Sequence, residues 1–219
     1  MEEKRVLTAN ARIEKAAVEL KSTPSNEAAW KELQQAAHDR SRFVRGQLAL
    51  SLGELADLPD GPMKDDVIRQ IIALLNDSKY GVIKMAVRAL AKFGESAAPA
   101  LPKLEEIIKT NIGDDVSWYA IETLGAMRHK AEPAVPTLIW MLQHEGNNGP
   151  FKYEARRAAA SALAQIGANA KDALPLLHRL VSSSDPRTND VMKQSIEIIT
   201  AEQKLSERPE DKRPEDVIP

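Results

Sequence analysis

The sequence predicts an all-α solenoid of about five stacked helix pairs plus a terminal helix, and three observations predict it. An apolar stripe recurs in Val82-Ile-Lys-Met-Ala-Val-Arg-Ala-Leu-Ala-Lys-Phe-Gly94, Val116-Ser-Trp-Tyr-Ala-Ile-Glu-Thr-Leu-Gly-Ala-Met-Arg128 and Ala155-Arg-Arg-Ala-Ala-Ala-Ser-Ala-Leu-Ala-Gln-Ile-Gly167. Positions one, five, eight, nine and twelve of each copy are small or apolar, the spacing that gathers side chains on one face of a helix. Each copy is followed by a second shared phrase: Ala98-Pro-Ala-Leu-Pro102, Glu132-Pro-Ala-Val-Pro136 and Lys171-Asp-Ala-Leu-Pro175. Finally, aromatic residues make up only 4% of the 219-residue chain, so its core must come from small and aliphatic side chains packed closely between helices.

The elements follow in order. Thr8 to Leu20 and Asn26 to Asp39 form an N-terminal pair with a weaker match, a cap that takes in residues 1–43. The repeats occupy 44–203, with first helices starting near residues 44, 82, 116, 155 and 191, 34 to 39 residues apart. The first of them runs through Val44-Arg-Gly-Gln-Leu-Ala-Leu-Ser-Leu52, with Asp66 to Asn76 as its second helix. Pro102, Pro136 and Pro175 mark second-helix starts, because a proline in the first turn removes only an N–H that lacks an intrahelical partner. Gly94 and Gly167 suit the stops of the preceding helices. The last helix, Val191 to about Lys204, has no obvious second helix, so its apolar side is left to meet another segment or another copy of the chain, and self-association stays open. Over 204–219 the phrase Arg208-Pro-Glu-Asp211 returns as Arg213-Pro-Glu-Asp216, a charged, proline-rich tail expected to be disordered.

A small-residue stripe, a glycine and then Ala-Leu-Pro resembles the HEAT-like repeats of bacteria, including the short type named for phycobilisome lyases, over about residues 8 to 200. The resemblance implies a right-handed α-α superhelix. It says little about activity, because repeat arrays serve many unrelated functions. The period is shorter than the roughly 40–47 residues of longer HEAT units. Physically, one helix pair cannot bury its apolar face alone, and stacking neighbours creates a continuous core and a long surface for contacts.

Composition excludes several functions. With 30 basic and 32 acidic residues the chain lacks the electrostatic footprint of a strong nucleic-acid binder. Without cysteine there is no disulfide, thiolate metal site or Cys nucleophile. The longest apolar stretches, such as Pro136-Thr-Leu-Ile-Trp-Met-Leu142, fall short of the roughly 20 residues that span a bilayer, and Met1-Glu-Glu-Lys-Arg-Val-Leu7 is no secretory signal. A cytoplasmic protein without membrane insertion is expected.

Catalytic and metal-binding patterns are not found. His38, His129, His144 and His178 lie in different repeats without a His-Glu-x-x-His pairing. His144-Glu145 is a single such pair, where the HEAT-like deoxyhypusine hydroxylases need several to hold two irons. The HEAT-like alkylpurine DNA glycosylases present a basic, aromatic concave face, whereas Lys103, Glu105, Glu106 and Arg179 mix signs at the matching positions here. Asp114-Asp115 and Glu105-Glu106 are adjacent in sequence and read as helix-start charges and a solvated face. No cofactor or metal is expected, and the chain is read as non-catalytic.

One position stands out. The solvent-facing pair of the second helices is Glu105-Glu106 in one repeat, Ile139-Trp140 in the next and His178-Arg179 in the one after. Large apolar groups where water is expected mark binding surfaces, and Trp and Arg are enriched among interface anchors. The alternative is that Trp140 packs against the following repeat. Trp118-Tyr119, on the first helix of the same repeat, is read as packing between repeats or on the outer surface. Gln143 to Lys152 is the longest internal connection, with Phe151 and Tyr153 at its end, and could wall a peptide groove. The expectation is a scaffold or adaptor that binds a protein partner on its inner surface, with Ile139 and Trp140 as anchors, His178 and Arg179 as flanks, and Glu105 and Glu106 beside them. The alternatives are an accessory or lyase-type subunit acting on a chromophore or carrier protein, and a glycosylase-like DNA binder.

Overall fold

The computed structural model describes residues 1–144, 152–182 and 185–207. Residues 208–219 of the tail expected to be disordered and most of the long connection, Phe151 included, fall outside these residues, while Lys204 to Ser206 continue the last helix. The described chain forms eleven α-helices: α1 (Glu2–Ser22), α2 (Glu27–Ala36), α3 (Arg42–Gly53), α4 (Pro62–Leu74), α5 (Tyr80–Ala91), α6 (Leu101–Thr110), α7 (Asp115–Ala126), α8 (Val135–Gln143), α9 (Lys152–Ile166), α10 (Leu174–Leu180) and α11 (Pro186–Ser206). Among the described residues there is no strand. Odd-numbered helices stack side by side in one layer, α1 on α3, α3 on α5 and onward to α11, and the even-numbered helices lie against them as a second layer.

The stripe forms the core between the layers. All five stripe positions are buried in each of the three aligned copies, from Val82 through Leu124 to Ile166. Each large aliphatic side chain among them contributes roughly 1.5–3 kcal/mol relative to exposure. In α11 the buried set is Thr188, Met192, Ser195 and Ile199 while Ile198 is exposed, so the inward stripe runs three residues ahead of the one that begins at Val191. Neighbouring first helices come close because small residues face each other. A Cβ on Gly53 would sit 3.0 Å from the Cβ of Ala89, and one on Gly125 would sit 3.1 Å from the Cα of Ala162.

What reads in sequence as a short linker is a 3-10 segment, found three times: Gly94–Ala100, Arg128–Ala134 and Gly167–Ala173. Residues three apart eclipse one another in a 3-10 helix, which puts Ala97 and Ala100, Ala131 and Ala134, and Ala170 and Ala173 inward as buried pairs. Each segment opens on a left-handed residue: Gly94 at φ 52°, Gly167 at φ 78° and, in the middle copy, Arg128 at φ 51°. Pro102, Pro136 and Pro175 then fall in the first turn of α6, α8 and α10.

Charges tie consecutive first helices together. Arg5 meets Asp39 at 2.7 Å, Arg45 meets Asp77 at 2.5 Å, Lys84 meets Asp115 at 2.6 Å and Arg157 lies 4.0 Å from Asp185. Each carboxylate stands at or just before the start of the next first helix. In the third repeat the position matching Lys84 and Arg157 is Trp118, so an indole replaces the cation there.

Candidate protein-binding site

Helix α8 begins at Val135, carries Pro136 in its first turn and turns Leu138, Met141 and Leu142 into the core. With those positions inward, Ile139 and Trp140 fall at the edge of the second layer. Both are half-buried, in contact with the core on one side and with solvent on the other. They line a groove of about 480 Å³ together with Pro133, Pro136, Gln143, Asn169 and Asp172. The Trp140 ring is backed by the His144 imidazole, 3.9 Å between centroids, and His144 Nδ1 lies 2.9 Å from the Trp140 carbonyl oxygen. The far wall is held in register by Asn169, whose amide donates to Glu132 at 2.7 Å across the repeat boundary.

Other residues singled out in the sequence lie outside this groove. The Thr137 hydroxyl donates to the Glu105 carboxylate, binding α8 to α6, and Lys103 engages Glu106 at 2.8 Å. His178 and Arg179 are exposed on α10 but do not line the groove. Its wall on that side is Asn169 and Asp172 from the 3-10 segment before α10. Stacking alone brings that segment beside Trp140, and no local pattern in the sequence marks either residue.

On the first-helix layer Trp118 and Tyr119 stack at 4.8 Å, with the guanidinium of Arg88 5.3 Å and the ammonium of Lys84 5.8 Å from the Tyr119 ring. Trp118 and Glu122 border a shallow groove of about 430 Å³ that also includes Arg157 and Gln165. Glu122 is exposed, yet neighbouring side chains partly desolvate its carboxyl and raise it above the usual range, and a hydrogen bond with Trp118 opposes part of that rise. Among the described residues no group of three or more His, Asp or Glu side chains could hold a metal ion, and no helix is long and apolar enough to cross a membrane.

Residues 31–118 match the model of HEAT repeats, and residues 155–183 match that of the PBS lyase HEAT-like repeat. Among curated proteins none matches this sequence. An engineered protein solved by the Northeast Structural Genomics Consortium superposes with a TM-score of 0.61 at 22% identity, covering 92% of each chain. A designed armadillo repeat protein superposes with a TM-score of 0.58 at 18% identity, covering 91% of this chain and 94% of the other. At these identities both likenesses concern the fold, an α-solenoid scaffold. With HEAT-type matches on both sides of the α7–α8 pair, and the same stripe, 3-10 segment and proline-started helix running through it, the chain belongs to the HEAT-like repeat family.

Proposed function

We propose that the chain is a non-catalytic adaptor that binds a protein partner in the groove beside Trp140. The observation that supports this is the half-buried Ile139–Trp140 pair in a walled depression, at a position where the neighbouring repeats carry charge. A partner side chain entering there removes the remaining apolar surface from water, at roughly 25 cal/mol per Å². The polar wall of Gln143, Asn169 and Asp172 supplies hydrogen-bonding groups at the rim, where orientation and partner choice are set. A preformed solenoid also binds with little ordering cost.

The test is affinity capture with the wild-type chain beside an Ile139→Glu, Trp140→Glu chain of matching circular dichroism. Loss of a captured protein from the double variant alone supports the reading, and identical captures overturn it. A lyase-type accessory role is the second reading, favoured by the family match over residues 155–183. A visible absorbance change on adding free bilin would support it.

A further inference from the structure

The outer side of the first-helix layer changes character along the solenoid. From α1 to α5 it exposes Leu7, Val18, Phe43, Leu50 and Tyr80, most of the large apolar side chains exposed among the described residues. From α7 onward exposed large apolar side chains are fewer and scattered, Tyr153 on α9 and Ile198 and Leu205 on α11, among polar ones such as Glu122, Glu154, Ser161 and Gln165. Between α3 and α5 the apolar half sinks into a groove of about 600 Å³ walled by Phe43, Leu50, Tyr80 and Met85. Phe43 is 63% exposed and Leu50 40% exposed, more than Ile139 or Trp140. Nothing lies within 4 Å of where a Cβ on Gly81 would point, so the groove is open at that position.

Its charge has one sign. The lining includes Arg42 and Lys79 and no carboxylate. Neither cation forms an ion pair among the described residues. Arg42 lies 4.9 Å over the Phe43 ring, and Lys79 acts only at longer range on Asp77, which Arg45 already clasps. Of the two carboxylates beyond Tyr80, Asp115 is taken by Lys84 and by the Tyr80 hydroxyl, and Asp114 acts on Tyr80 only at longer range. Two unneutralised cations beside an apolar trough complement a ligand that carries both negative charge and large apolar groups. Two cations are too few for a phosphate track along a nucleic acid. A concave trough also holds its apolar floor away from a flat bilayer, whereas a narrow chain can enter it. The two flanking helices have 12 residues each, about 18 Å, enough for roughly five residues of extended peptide.

We infer that the α3–α5 groove is a second docking site, which takes a short acidic peptide segment of a partner protein carrying large apolar side chains. It lies on the helix layer opposite the Trp140 groove, so the two sites can be filled together and the chain can bridge two partners.

The test selects short random peptides displayed on phage against the full chain, with Gly81→Leu as counter-selection. That substitution fills the open trough from an exposed helical position and leaves the core untouched. The selected peptides are expected to combine Asp or Glu with Phe, Trp or Leu. A synthetic representative should lose about tenfold or more in affinity for Gly81→Leu and for Arg42→Glu, Lys79→Glu, weaken as salt rises, and bind the Ile139→Glu, Trp140→Glu chain unchanged. Selection of neutral or basic peptides, equal binding to Gly81→Leu, or no enrichment overturns the inference. A dimer in sedimentation velocity that Phe43→Glu dissolves would overturn it in favour of a second copy. Retention on phosphatidylserine vesicles that Phe43→Glu abolishes would overturn it in favour of a membrane surface.

Discussion

Arg45 on α3 grips Asp77, just ahead of α5, with two nitrogens, Nε at 2.5 Å and Nη2 at 3.0 Å, and the two side chains are only 13% and 8% exposed. The guanidinium holds the Asp77 carboxyl below the usual carboxylate range. A depressed folded-state pKa adds stability that is full above the unfolded value, about pH 4, and lost as pH falls through the folded one. Asp77→Asn should therefore lower stability at neutral pH by about 2 kcal/mol and flatten the acid limb of the stability profile. Urea unfolding across a pH series measures both.

Glu122 has the opposite sign. Its raised carboxyl value means that stability falls as pH rises from the ordinary carboxylate value through the folded one. Glu122→Gln keeps an acceptor for Trp118 and removes the charge. Because Glu122 is exposed and screened by solvent, the variant should be only marginally more stable than wild type at neutral pH and indistinguishable in acid, as read by thermal melts at the two conditions.

Arg128 occupies the left-handed conformation that glycine adopts in the flanking repeats. Arg128→Gly should raise stability by about 0.5–1 kcal/mol, the strain relieved less the extra freedom of the unfolded chain. Gly94→Ala and Gly167→Ala should both destabilise. The second should cost slightly more only through the hydrogen bond from Ala168 N–H that the exposed Glu202 carboxylate gives up as it swings clear of the new methyl. Chemical denaturation ranks the three.

The close approach of α7 and α9 predicts a steric effect without any change of charge. Gly125→Val places branched carbons against the Ala162 backbone and should cost about 2–3 kcal/mol, with far-ultraviolet circular dichroism unchanged at low temperature.

The parts of this fold that show in the sequence are those governed by a period. The stripe from Val82 to Phe93 predicts its own burial because a helix repeats every 3.6 residues, and Pro102, Pro136 and Pro175 announce helix starts because their chemistry permits few other places. Where several registers are apolar, the sequence is ambiguous: Ile196, Ile198 and Ile199 are equally hydrophobic, and only packing against α9, α10 and the 3-10 segment between them decides that Ile199 turns inward. The pairing of Trp140 with Asn169 and Asp172 depends on how one repeat lies on the next. Phe43 and Leu50 fall off the stripe that starts at Val44, and only the stack shows that their side of α3 is uncovered and forms a groove.

The uneven contact between the two layers has a mechanical consequence. First helices are pressed together along their length by Gly53, Ala89, Gly125 and Ala162, whereas the second helices meet their own kind sparingly, chiefly where α6 touches α8. The first layer thus behaves like the spine of a book and the second like its leaves. Small rotations about the spine fan the leaves apart most readily at the far ends of α6, α8 and α10, while the Trp140 groove, pinned by the Asn169–Glu132 bond, and the α3–α5 trough, cut into the spine, keep a fixed gauge.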